Sequence, residues 1–191
     1  MAELQDEGKV RWLGVCNFPV DLLERIEAVR HVDSLQPPFS MLNRHAREEL
    51  IPWSARNGSG VIVYSPMGAG LLTGSFNREG LDRLAADDWR RRSPMFAEPK
   101  LSQNLALVER LRPIAERLGC TLPALAVAWT LAVPGVTGAI VGGRRPAQVE
   151  GWLEAAAVDL SPGDLTEIER ALEETGAGTD QAPTPPPLPS V

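Results

Sequence analysis

The chain has 191 residues and a formal net charge of −6, enough length for one domain with a sizeable core and an acidic balance that gives a nucleic-acid role no electrostatic support. Its two cysteines, Cys16 and Cys120, form no disulfide framework, and residues 1–15 carry Glu3, Asp6, Glu7, Lys9 and Arg11 where a signal peptide needs an apolar core. No apolar run approaches the ~20 residues of a membrane helix, so the expectation is a soluble, cytoplasmic protein in a reducing compartment. Residues 1–8 read as the end of a helix closed by Gly8. A first strand is predicted over 10–15. A helix follows from Pro19 and Asp21, with Leu22, Leu23, Ile26 and Val29 as its apolar face. A very short second strand covers 32–35, and a helix over 48–56 is stopped by Asn57-Gly58. The third strand, 61–64, is the clearest. An irregular stretch runs from Gly68 to about Ser102, carrying Arg90, Arg91, Arg92, Pro94 and Pro99. Loops of that length inside a domain are usually functional or disordered. Helices are predicted over 105–118 and, buried and Ala-rich with Thr121 as cap, over 122–131. The fourth strand is 137–141, its helix 146–157. Ser161-Pro162 caps a last helix ending near Thr175. Residues 176–191 are a Gly/Pro tail that should be disordered.

Strands alternating with helices argue a parallel sheet. Either a small doubly wound sheet or half of an eight-stranded barrel accommodates four strands, and the lack of a G-x-G-x-x-G after the first lowers the dinucleotide-fold reading. Four segments carry the chemistry: GKVRWLGVCNF (8–18), LQPPFSMLNR (35–44), GVIVYSPMGAGLLTG (60–74) and VTGAIVGGRRPAQ (136–148). Each is an apolar run ending in small or polar residues, as a buried parallel strand does where its C-terminal end opens onto a ligand site.

In this order the four segments resemble the second half of the aldo-keto reductases, NADP-dependent (β/α)8 barrels that reduce carbonyls. The resemblance covers residues 1–175. It implies an α/β fold, the C-terminal half of a (β/α)8 TIM barrel with four parallel strands and flanking helices. It also implies roles. Asn17 and Gln36 would hold the nicotinamide carboxamide, with Cys16 beside them in place of the family's serine. Tyr64 would stack under the nicotinamide ring. Ser65, Met67 and Gly70 would line the pyrophosphate path. Gly142, Gly143, Arg144 and Gln148 would surround the adenosine end, with Arg144 suited to the 2′-phosphate of NADP(H). Gly151 and Trp152 stand where the family's adenine-holding Glu-Asn pair would be. No metal site is implied.

The family's chemistry needs an acid tyrosine with a lysine, an aspartate and a histidine on the first four strands, because a proton must reach the carbonyl oxygen as hydride arrives. This sequence has one tyrosine, Tyr64, two lysines, Lys9 and Lys100, and two histidines, His31 and His45. No tetrad can be assembled from these, so no catalytic residue is assigned. The expectation is a cofactor half-site whose partner is a complementary N-terminal half-barrel or a second copy of itself, with a small carbonyl substrate once completed. The alternative is a non-catalytic nucleotide-binding or regulatory module. Cys16 reads as a small buried residue rather than a reactive thiol, Arg90–Arg92 as a solvated loop in preference to a site for an anionic substrate or the cofactor phosphate, and Trp129 and Trp152 as core or helix packing.

Overall fold

The computed structural model describes residues 1–179. Four parallel strands run β1 (Gly14–Cys16), β2 (Ser34–Gln36), β3 (Gly60–Tyr64) and β4 (Val136–Ile140), paired in that same order. Val15 lies opposite Leu35, Leu35 opposite Val61, and Tyr64 opposite Ile140. Sequential parallel neighbours joined through helices are the βα pattern of a barrel wall. The helices are α1 (Ala2–Asp6), α2 (Val20–Glu27), α3 (Leu50–Asn57), α4 (Arg78–Asp82), α5 (Lys100–Leu118), α6 (Leu122–Leu131), α7 (Pro146–Leu153) and α8 (Pro162–Thr175).

Strand alternation decides where the core sits. Val61 and Val63 of β3 are wholly buried, while Ile62 between them is exposed. The buried face packs on α5, α6 and α8 through Leu107, Leu111, Leu125, Trp129, Ile168 and Leu172. A second cluster joins α2, β2 and α3 through Leu23, Leu35 and Trp53. α6 is apolar all round, which is how a helix enclosed on every side reads, and residues 124–130 are all buried.

Local chemistry explains the boundaries. Thr121 caps α6 by accepting from the Ala124 N–H at 3.1 Å, and Ser161 caps α8 with Asp164 returning the bond. Gly58, left-handed at φ 73°, ends α3 as expected from Asn57-Gly58. β1 is shorter than the apolar run predicts: the Leu13 carbonyl still accepts from the Asp33 N–H at 2.8 Å, but the Leu13 N–H donates to the Asp33 carboxylate at 2.7 Å, so only half of the backbone pairing forms there. Val29 is 77% exposed because α2 ends at Glu27, so it does not join the α2 face. The 68–102 stretch is not irregular throughout. It holds turns at Gly68–Thr73, Trp89–Arg92 and Pro94–Phe96, the short α4, and the start of α5. Phe96 knits it together, edge-on to Phe76 and Trp89.

Residues 176–179 continue the described chain, with Ala177 wholly buried and its carbonyl accepting from Arg44. The tail expectation for 180–191 lies outside the described residues. Among the described residues no helix is long and apolar enough to cross a membrane, and no group of three or more acidic, His or Cys residues is placed to hold a metal.

Candidate functional site

Three adjacent strands deliver polar side chains to one end of the sheet. The Tyr64 hydroxyl donates to Asn17 Oδ1 at 3.1 Å. The Asn17 N–H donates to the Gln36 carbonyl, and Cys16 Sγ lies 3.9 Å from Gln36 Oε1. Asn17, Gln36, Cys16 and Tyr64 therefore form one connected row at the strand ends. Cys16 is exposed, which corrects the expectation of a buried residue: it points to the strand face the helices do not cover. Partial desolvation there raises its thiol above the ordinary cysteine value, keeping it protonated at neutral pH.

Beside this row a cleft of about 860 Å³ opens between the turn after β3 and the segment after β4. Tyr64, Ser65, Met67 and Gly70 form one wall, and Gly142, Gly143, Arg144 and Gln148 the other. The remaining three expected residues, Cys16, Asn17 and Gln36, border it through Tyr64 rather than lining it. The backbone is strained here: Asn17, Ser65 and Ala69 are, among the described residues, the non-glycine ones with positive φ, at 59°, 58° and 55°. Such conformations cost about 1–3 kcal/mol each and cluster at functional sites. A Cβ added at Gly70 or Gly142 would meet nothing within 4 Å, so bare backbone faces the open cleft at both walls. Gln148 Oε1 accepts from the N–H groups of Arg144 and Arg145 at 2.8 and 3.2 Å, closing the first turn of α7 and orienting the backbone that carries Arg144.

Arg90 and Trp152 also line the cleft. Arg90, read from sequence as part of a solvated loop, reaches the cleft, and only 17% of its side chain is exposed. Asp88 grips it through Nε at 2.9 Å and Nη2 at 2.7 Å. Trp152 packs as expected, against Ala124 and Ala128, but it also lines the cleft. For Arg90 the available signal was the acid two residues before it; for Trp152 it was the place of Gly151 and Trp152 in the family pattern, since periodicity showed nothing of its direction.

The side-chain and backbone bonds from Arg90 hold the Asp88 carboxyl down to about 2. A carboxylate whose folded value lies below the unfolded ~3.9 adds stability above about pH 4 and loses it as pH falls toward 2. A carboxyl-carbon NMR titration is expected to place Asp88 near 2 and, in Arg90→Ala, higher but still below the ordinary aspartate value, because the backbone N–H at position 90 remains.

The profile of the Aldo/keto reductase family matches residues 1–173. The chain belongs to the aldo/keto reductase family. It is 34% identical to "Aldo-keto reductase YhdN" of Bacillus subtilis over 176 residues, covering 92% of this chain and 53% of that protein. It is 33% identical to "NADH-specific methylglyoxal reductase" of Escherichia coli over 174 residues, covering 90% and 52%. Among solved structures it matches the glycerol dehydrogenase AKR11B4 of Gluconobacter oxydans with a TM-score of 0.85 and 28% identity, over 95% of this chain and 54% of that one. The aldo/keto reductase chain described here thus spans about half the length of the relatives it matches, and its four parallel strands with flanking helices are half of their barrel.

Proposed function

We propose that this chain is the cofactor-binding half of an NADP(H)-dependent aldo-keto reductase for aldehydes or ketones, silent in turnover until a complementary N-terminal half-barrel closes on it. The observation that carries the reading is that Tyr64, bare backbone at Gly70 and Gly142, and Arg144 line one cleft. The donor set suits a dinucleotide phosphate: a ring for a ring, glycine backbone for close approach, a planar cation for a phosphate. Bound nicotinamide supplies the hydride. The residues of this chain bind and orient: Tyr64 offers its ring, held in place by its bond to Asn17, while Arg144 holds negative charge. One relative is named for NADH, so the preference for NADP(H) rests on Arg144. Reduced compartment and cytoplasmic location belong to the same reading.

Fluorescence titration of the full chain with NADPH and NADH tests it. NADPH should saturate the protein. Tyr64→Ala should weaken both cofactors about tenfold, since stacking on an aromatic ring is worth about 1–3 kcal/mol. Arg144→Ala should weaken NADPH by about tenfold or more, a charge-assisted bond being worth about 1.5–3 kcal/mol, and leave NADH nearly unchanged. No saturable binding of either cofactor refutes the reading.

One observation favours a second reading, a nucleotide-binding module without turnover. The Tyr64 hydroxyl is taken up by Asn17, and neither Lys9 nor Lys100 lines the cleft. Binding that persists without carbonyl reduction, even beside a complementary half, selects that reading.

A further inference from the structure

Aromatic residues from two different elements line the cleft. Tyr64 stands at the end of β3, and Trp152 lines the cleft at the end of α7, as do Pro123 and Ala147. The other ring at the cleft, Phe76, is held edge-on by Phe96 with centroids 5.2 Å apart. Trp152 is half-buried, and its indole Nε1 is buried without a hydrogen-bond partner among the described residues. What it presents to the opening is therefore ring carbon, not its N–H. The wall around it is low: Cβ atoms added at Gly142 or Gly151 would meet nothing within 4 Å. The acceptors of two neighbouring lining residues, Gln148 and Gly151, are already committed. Gln148 Oε1 accepts from two backbone N–H groups, and the Gly151 carbonyl accepts from the Thr121 hydroxyl.

A planar heterocycle entering this end finds a flat apolar surface and no free acceptor from those two residues to read an amino group on its edge. We propose that Trp152 is a base-stacking platform that takes the purine of the dinucleotide by its face. This rests on the cofactor reading above and deepens it. Stacking is tolerant of base identity because every base has a π-face, whereas a site that hydrogen-bonds a ring substituent rejects the analogue lacking it by about 10⁴-fold or more. The cleft accordingly accepts purine dinucleotides irrespective of the exocyclic amine.

The test uses the full chain, titrated with NADPH, with reduced nicotinamide hypoxanthine dinucleotide phosphate, which lacks the amino group, and with reduced nicotinamide mononucleotide, which lacks the purine. The two dinucleotides should bind within about threefold of each other. Trp152→Asn should weaken both by about tenfold or more, Trp152→Phe should retain most of the binding, and the mononucleotide should bind all three proteins alike. That last comparison separates loss of a platform from a misfolded cleft. A hypoxanthine analogue bound a hundredfold more weakly, or NADPH bound by Trp152→Asn as tightly as by the unaltered chain, overturns the proposal while leaving the cofactor reading intact. Failure of the unaltered chain to bind NADPH overturns both.

Discussion

Trp129→Ala should remove about 3–5 kcal/mol of stability, the usual cost of deleting a large buried aromatic side chain, out of a total of about 5–15 kcal/mol for a domain. Trp129 is 1% exposed, at the centre of the main core. Its ring stacks on Phe39 with centroids 5.5 Å apart and planes 16° from parallel. It sits on α6, which is enclosed on every side, so no solvent-facing flank can collapse into the gap. At about 2–4 °C per kcal/mol for a chain of this size, the melting temperature should fall by roughly 6–20 °C. Trp12 is the control. It is 73% exposed, and Trp12→Ala should stay within about 0.5 kcal/mol. Circular dichroism melts of the two variants side by side check this. Equal losses at Trp12 and Trp129 would mean that α6 does not sit inside the core.

The sheet and its helices were legible because their signals are local. The Val61–Tyr64 run reads as a strand from its β-branched residues alone. Thr121-Leu122-Pro123 and Ser161-Pro162 read as helix starts from cap chemistry, and both caps form. What failed depended on partners distant in sequence. The strand predicted over 10–15 begins only at Gly14, and at Leu13 it is an Asp33 side chain, twenty residues away, that takes the backbone N–H. Cys16 is small and sits on a strand, so burial was the natural reading. Its exposure depends on which face the helices cover. Arg90 looked like one of three loop cations, and only the fold shows that Asp88 turns it into the cleft. The four segments singled out in the sequence come together because they lie at strand ends, where the chain direction itself brings them to one side of the sheet.

The face opposite the helices leads to the second large effect. β1 pairs only with β2, and β4 only with β3, so each has a free edge among the described residues, a configuration prone to pairing with other chains. Ile62 and Ile140 are 38% and 45% exposed on their strands, although large apolar side chains in a barrel usually fill its interior in layers. Produced alone, the chain should therefore self-associate, and sedimentation velocity should show species larger than the monomer. Mixed with a chain carrying the first four β/α units of a relative such as YhdN, it should form a one-to-one particle that oxidises NADPH over an aldehyde or ketone panel, where each half alone gives no rate. Ile62→Lys discriminates between closure and simple adhesion. A lysine there is tolerated while the face is open to water, so the isolated variant should keep its circular dichroism. Inside a closed barrel the same charge would be desolvated without a partner, which is costly enough to prevent closure. Loss of the one-to-one particle and of turnover in that variant, with folding preserved, ties activity to barrel closure. A monodisperse monomer that ignores the added half would refute the half-barrel as an associating unit. A one-to-one particle that binds NADPH without oxidising it would leave the cleft as a nucleotide sensor.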